Sequence, residues 1–303
     1  MNVLCVGHAS YDLIFKVDTH PASDEKVFAK DFLACGGGPA ANAAVQVAKL
    51  GGRSGFAGYL GQDLYGDKHV AELLSYSVNT DFIVRGLSPT PLSTIIVKPN
   101  GDRCLINYKG STKPLNTGSI NFTPLDAKVV LFDGHEPNIS ADLTEKLKIK
   151  QTPLVLDAGS VNEGTTLLLS QVDYAVCSEK FALALCGDVK SALHHISTIA
   201  PVVVITLGEK GLVWKRGNEQ GTLRALRIDP IDTTGAGDAF HGAFAYGVSL
   251  NMAWQELLHF ASLAGSLCCT KMGARLGLAT LDEINCLDRA LTDSGYHDAN
   301  GSM

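Results

Sequence analysis

The run DTTGAGDAFHGAF, residues 232–244, gathers three kinds of residue that work together on phosphate: small glycines, hydroxyls and one acid. Two familiar phosphate motifs do not account for it. Gly235 and Gly237 are followed by Phe240, which breaks G-x-G-x-x-G, and G-x-x-x-x-G-K-[ST] occurs nowhere in the chain. Beyond Asp238, Phe240, Phe244 and Val248 fall on one helical face, so the spacing predicts a packed helix beginning near Gly235. The first N–H groups of such a helix lack internal acceptors, and Gly235, Ala236 and Gly237 keep side chains out of the path of an approaching anion. That is an anion hole. A carboxylate in the same turn, Asp238, could take a proton from a hydroxyl while the N–H groups hold charge on a transferring phosphoryl. An aspartate in a first helical turn is also favourable for the helix dipole alone, so this stretch by itself supports either role.

The elements that must carry this turn are written in the apolar pattern. The runs VLCVG, AKVVLF, TPLVLD, VDYAVC and PVVVITLG alternate with amphipathic segments near 40–50, 65–76, 140–149, 180–186 and 253–268. Continuous apolar strands alternating with helices predict an α/β fold with a mostly parallel sheet covered on both faces. Residues 11–35 and 92–109 break the rhythm with strand-like stretches, the second carrying a hairpin signal at Asn100-Gly101. Together they predict a small antiparallel β lid, discontinuous in sequence. The chain therefore reads as a single domain over 1–290, with a polar, frayed tail over 291–303. The alternating apolar residues of LIFKV and STIIV would leave the lid one greasy face, which predicts a homodimer through the lid.

Composition excludes several partners. Across 303 residues, 46% of them hydrophobic, the net charge is −6 and the 25 basic residues are scattered, which argues against nucleic acid or an anionic membrane. No apolar run approaches the ~20 residues that span a bilayer. The start MNVLCVGHASYDLIF reads as a first strand and not as a signal peptide, so a cytoplasmic protein is expected. None of the eight cysteines forms a C-x-x-C pair and most lie in apolar runs, which predicts buried thiols.

The stretch DTTGAGDAFHGAF resembles the C-terminal signature of the ribokinase-like (PfkB-type) carbohydrate kinases. GGGPAANAAVQVAKLGGRSGFAGYLGQDLYGD, residues 36–67, resembles their N-terminal signature, and with TLGEKGL between the two the resemblance runs from Val3 to about Ile284. It implies a three-layer α/β sandwich with a β lid and an ATP-dependent kinase acting on a primary hydroxyl of a small sugar or sugar derivative. Asp238 would be the base, and Gly235, Ala236 and Gly237 the anion hole. On the acceptor side the resemblance implicates Asp12, Gly37, Gly38 and Asn42, with Asn107 and His135 as further contacts. On the nucleotide side it implicates Ser178, Thr206, Gly208 and Gly211. Magnesium would accompany ATP, and Asp232 and Thr234 match the position where many members bind a monovalent cation such as K⁺. Thr234 is equally suited to be a helix N-cap.

Departures from the family pattern bear on substrate. In place of an N-x-x-E motif this chain has CSEKF, where Ser178 replaces Asn, Phe181 replaces Glu, and Glu179 is the acid that remains to act on magnesium, through water. Ketohexokinase-like and sulfofructose-kinase-like members show a similar loss. Where ribokinases hold a sugar-contacting Glu and sulfofructose kinases an Arg, this chain has His135, which argues against both an alkylsulfonate and plain ribose. Two other functions stay open. Phe15, Phe28, Phe32 and Tyr108 would suit the base pocket of a nucleoside kinase, and a catalytically silent sugar- or nucleotide-binding protein would share the fold without needing the GAGD acid.

Overall fold

The computed structural model describes residues 1–101 and 103–293. In chain order the elements are β1 (Val3–Val6), β2 (Ser10–Lys16), β3 (Asp31–Gly37), α1 (Pro39–Lys49), β4 (Ser54–Gly61), α2 (Leu64–Ser75), β5 (Asn79–Gly86), β6 (Leu92–Val97), β7 (Arg103–Tyr108) and β8 (Val129–Phe132). There follow α3 (Pro137–Ile149), β9 (Leu154–Ala158), α4 (Glu163–Leu168), β10 (Tyr174–Ser178), α5 (Glu179–Cys186), α6 (Val189–Ser197), β11 (Val202–Thr206), β12 (Leu212–Arg216), β13 (Glu219–Leu223), α7 (Ala236–Ser249), α8 (Trp254–Cys268), α9 (Ala274–Gly277) and α10 (Leu281–Asp293).

The central sheet runs β13-β12-β11-β10-β9-β8-β1-β4-β5. All neighbours from β11 to β5 are parallel, and β12 and β13 extend that edge as an antiparallel hairpin. Parallel strands are buried on both faces because their crossover helices cover both. Alternate residues accordingly enter two cores. Val3, Cys5, Val129, Leu131, Val155 and Val204 join the core under α1, α7 and α8, whereas Leu4, Val6, Val130 and Phe132 join the one under α3 to α6. Strand order reverses at β1, which has β4 on one side and β8 on the other. The crevice beyond the strand ends at such a switch point is where open α/β sheets bind ligands.

The helices lie close to the segments their periodicity marks. α3 starts three residues earlier than the 140–149 segment, because Pro137 fits the first helical turn, where its missing N–H costs nothing. α10 runs through Asp293, into the stretch expected to fray, while 294–303 of that tail lie outside the described residues. Five of the cysteines are buried, but Cys104 and Cys286 are exposed.

The second sheet is the lid, in the order β3-β2-β6-β7. It is mixed and not wholly antiparallel: β2 pairs with β6 in parallel. The chain leaves the lid after β3, builds α1, β4, α2 and β5, and re-enters at β6 in the same direction as β2, which the expectation of an antiparallel lid misses. One lid face packs Ile14, Cys35, Ile95 and Val97 against Met272 of the body. The other carries Phe32 (53% exposed), Ile106 (66%) and Tyr108 (54%). Among the described residues no helix is long and apolar enough to cross a membrane.

Candidate active site

The expected helix is α7, and its N-cap is Gly235. Gly235 has φ +81°, and a Cβ there would stand 2.4 Å from the Cβ of Ala274, so this tight entry into the helix needs glycine. No side chain caps the turn, and of its first N–H groups that of Ala236 makes only a long bond, 3.4 Å, to Thr233 O. Thr234 is not the cap. Its N–H and hydroxyl both donate to Asp232 Oδ1, at 2.9 and 2.6 Å, and Gly273 N–H donates to Oδ2 at 2.8 Å. Asp232 is thus a fully buried carboxylate whose three donors are all neutral.

Asp238 lies half-buried in the first turn of α7, and Asn42 Nδ2, from α1, donates to its Oδ2 at 2.6 Å. Burial raises the Asp238 pKa above the usual carboxylate range, with the Asn42 bond and His241 opposing. Asn42 itself is buried, and its Oδ1 accepts no hydrogen bond among the described residues. Across the cleft, Asp12 on β2 accepts from Ser10 Oγ at 2.8 Å. Burial pushes its pKa up to about 6 against the pull of Ser10, Arg275 and Ser93. Registers align Cys35, Asp12, Ser93 and Asn107 in one row across the four lid strands, so Asn107 shares the body-facing side of the lid with Asp12. Gly37 closes this corner, where a Cβ would fall 2.1 Å from Asp12 Oδ2, and Gly38 caps α1.

His135 sits just beyond β8 with its ring stacked on His8, centroids 5.1 Å apart. Asp133 organises this corner from beneath, accepting backbone N–H bonds from His8 (2.7 Å), Ala40 (3.1 Å) and His135 (2.9 Å). Burial alone would raise Asp133, but His135 and the N–H donors outweigh it and hold the carboxyl at about 2. Asp133 in turn raises His135. The lid aromatics go elsewhere: the Phe15 and Phe32 rings pack at 5.0 Å, tilted by 42°, on the face opposite Asp12, and Phe28 is exposed.

Farther along the same sheet edge, Ser178 and Thr206 end adjacent strands in register. Ser178 caps α5 and donates to Gly159 O at 2.9 Å, so its hydroxyl serves the backbone. Glu179 follows, 3.1 Å from Lys210 Nζ, and Gly208 and Gly211 bound the turn that carries that lysine.

Several residues of the cleft went unmarked in the sequence. Besides His8 and Asp133, Asp157 at the end of β9 lies buried 3.2 Å from His241 Nδ1, which is also 2.6 Å from Gly237 O. Nε2 of the same ring is 3.2 Å from Val176 O, so His241 ties the first turn of α7 to Asp157 of β9 and to the middle of β10. Burial raises Asp157 and lowers His241. Arg275 is the fifth. Both aspartates 133 and 157 close apolar strands, VVLF-Asp and LVLD, and an acid at that end of a parallel strand is a readable sign of a ligand crevice.

Known proteins resemble the chain over most of its length. The chain is 26% identical over 287 residues to the ribokinase of Bacillus subtilis (strain 168), covering 93% of this chain and 98% of that one. It is 24% identical over 299 residues to the deoxyribokinase of Salmonella typhi, covering 94% and 98%. The structure of Arabidopsis thaliana ribokinase complexed with ribose and ATP superposes with a TM-score of 0.79 at 25% identity, covering 94% of this chain and 98% of that one. Residues 1–281 match the family described as pfkB family carbohydrate kinase, so the chain belongs to that family of ATP-dependent phosphotransferases.

Proposed function

We propose that the protein is a sugar kinase that moves the γ-phosphoryl of MgATP to a primary hydroxyl of a small sugar or sugar derivative. The observation that carries this reading is the start of α7, where an uncapped helix end and a carboxylate held by Asn42 stand in one turn. Asp238 takes the hydroxyl proton, and the N–H groups of Gly235, Ala236 and Gly237 receive the charge of the transferring phosphoryl. Asp12 and Asn42 bind acceptor hydroxyls beside the backbone of Gly37 and Gly38, with Asn107 and His135 completing the pocket. A sugar hydroxyl supplies the donor that Asn42 Oδ1 lacks among the described residues. Thr206, Gly208 and Gly211 border the ATP phosphates, next to Ser178. Because Phe15, Phe32 and Tyr108 lie on the outer lid face, a sugar suits this chain's own pocket better than a nucleoside. Ribose bound with ATP in the Arabidopsis relative is the same pairing of ligands. A thermal-shift panel of ketoses, aldoses, sugar acids and nucleosides, each with a non-hydrolysable ATP analogue, tests this. Sugars should raise the melting temperature beyond the analogue alone, and stabilisation by nucleosides only would overturn the choice.

Metal ions fit at two places. Magnesium would neutralise the β- and γ-phosphates, with Glu179 acting through water, since Mg²⁺ keeps much of its hydration shell and Glu179 is already paired with Lys210. K⁺ suits Asp232 and the carbonyls flanking Thr234, because a buried carboxylate with only neutral donors favours a cation. EDTA should abolish turnover. Replacing choline chloride by KCl at matched ionic strength should raise kcat more than it alters acceptor KM, and equal rates in the two salts would remove K⁺ from the account.

The Asp12 pKa of about 6 sets a pH dependence. Ionised Asp12 accepts the acceptor's hydroxyl, so kcat/KM for the acceptor should fall as pH drops through about 6. A flat profile through that range would count against Asp12 as a ligand. The exposed apolar lid face around Phe32, Ile106 and Tyr108 fits a second copy of this chain in a two-fold dimer. Light scattering at micromolar concentration should report a dimer, which Ile106→Lys should split.

A further inference from the structure

Arg275 is the largest fully buried side chain, 1% exposed, and it belongs to α9 in the loop that follows α8. A buried guanidinium is costly unless its donors are used. Nε donates to Gly36 O at 2.8 Å and Nη1 to Ala41 O at 3.1 Å, while Nη2 lies 2.7 Å from His69 Nε2. Arginine only donates, so His69 is neutral there and accepts, in keeping with burial and the Arg275 charge both pushing its pKa down. Glu72 completes the grip. Its Oε1 stands 3.3 Å from Arg275 Nε, and its Oε2 accepts the N–H of Gly36 at 2.6 Å. The Gly36 peptide is thus held by its carbonyl and by its N–H. Gly36 leads into Gly37, against Asp12, and Ala41 precedes Asn42, which holds Asp238.

The loop that carries Arg275 also touches the other half of the site. Gly273 N–H donates to Asp232, Ala274 packs beneath Gly235, and Gln46 of α1 pairs with the backbone of Ala279 at 2.8 and 3.1 Å. We infer that Arg275 is a positioning residue for the acceptor, reaching from the loop that braces the anion hole to fix the Gly36–Gly37 turn and the first turn of α1. One loop then sets the distance between the bound hydroxyl and the helix end that receives the phosphoryl. The guanidinium also draws Asp12 downward, together with Ser10 and Ser93 and against Asp238 and burial, so its charge helps keep Asp12 ionised.

The kinetic consequence rests on the kinase reading, whereas the structural one does not. Three variants separate them: Arg275→Met removes the charge, Arg275→Lys keeps the charge without the fork, and Glu72→Gln, at a partly exposed site, leaves the guanidinium in place. Hydrogen–deuterium exchange on the unliganded proteins should show faster exchange at residues 34–42 in all three, with α8 protected as in the wild type. Should Arg275→Met fail to fold, the other two carry the test. For kinetics, the acceptor is whichever of D-ribose, 2-deoxy-D-ribose and D-fructose the wild type phosphorylates fastest. Its KM should rise about tenfold or more in Arg275→Lys while kcat falls less than about threefold and KM for MgATP stays put. In Arg275→Met the acid limb of kcat/KM should also move to higher pH. Unchanged exchange at 34–42, or loss of kcat with an unchanged acceptor KM, overturns the proposal. If the wild type phosphorylates none of these sugars, the kinase reading fails for them, and the exchange result alone decides the role of Arg275.

Discussion

Asp238→Asn should cut turnover by a factor on the order of 10²–10⁴ while leaving KM for MgATP nearly unchanged. The substitution is nearly isosteric. Its amide oxygen can still accept from Asn42 Nδ2, now at 2.6 Å from Asp238 Oδ2, so the turn and the acceptor pocket keep their shape. What disappears is a group able to hold the hydroxyl proton as the new O–P bond forms. Burial has already lifted the Asp238 pKa toward the working pH, which is where a general base is most effective. Steady-state kinetics in both substrates check this, and near-normal turnover in the variant would remove Asp238 from the mechanism.

Gly235→Ala should lower kcat on the order of 10²-fold and also lower the melting temperature. The new Cβ would meet Ala274 Cβ at 2.4 Å and Ala274 Cα at 2.9 Å, on a backbone at φ +81° that side chains rarely adopt. Strain of this kind costs about 1–3 kcal/mol, and the turn relieves it by rotating the amides that form the anion hole. Loss of one such donor is worth about 10²–10³ in rate. Gly237→Ala separates strain from the mere loss of a glycine. A Cβ at Gly237 meets nothing within 4 Å, so that variant should melt close to the wild type. If Gly235→Ala does the same and keeps its kcat, the helix end does not hold transferring charge.

What was legible in the sequence is what is local. The start of α7 near Gly235, the alternation of buried strands with helices, and the β6–β7 hairpin around Asn100-Gly101 each follow from periodicity and turn chemistry within a dozen residues or so. Thr234 shows where locality stops helping, because the sequence suits it to be the helix cap, and only its bonds to a buried Asp232 show that Gly235 takes that place instead. The parallel pairing of β2 with β6 depends on the 75 residues between Lys16 and Leu92 less than on where the crossover returns, and no short pattern reports that. His8, Asp133 and Asp157 lie near one another because parallel strands end at one edge of the sheet, and α7 brings His241 against Asp157. Arg275 and Gly36 are 239 positions apart in the chain. A charged residue inside GARLGLA looks like surface until the loop is folded over α1.

The most direct test of the central claim is ³¹P NMR of MgATP with the wild-type protein and, in turn, D-ribose, 2-deoxy-D-ribose, D-fructose and a sugar acid. With an accepted sugar, the γ-phosphate resonance should decay as ADP and one phosphomonoester grow in equal amounts. The phosphomonoester should couple to the CH₂ protons of a primary carbon, and Asp238→Asn should leave the spectrum static over the same time. Release of inorganic phosphate with no sugar ester, or transfer by Asp238→Asn at the wild-type rate, would contradict the account.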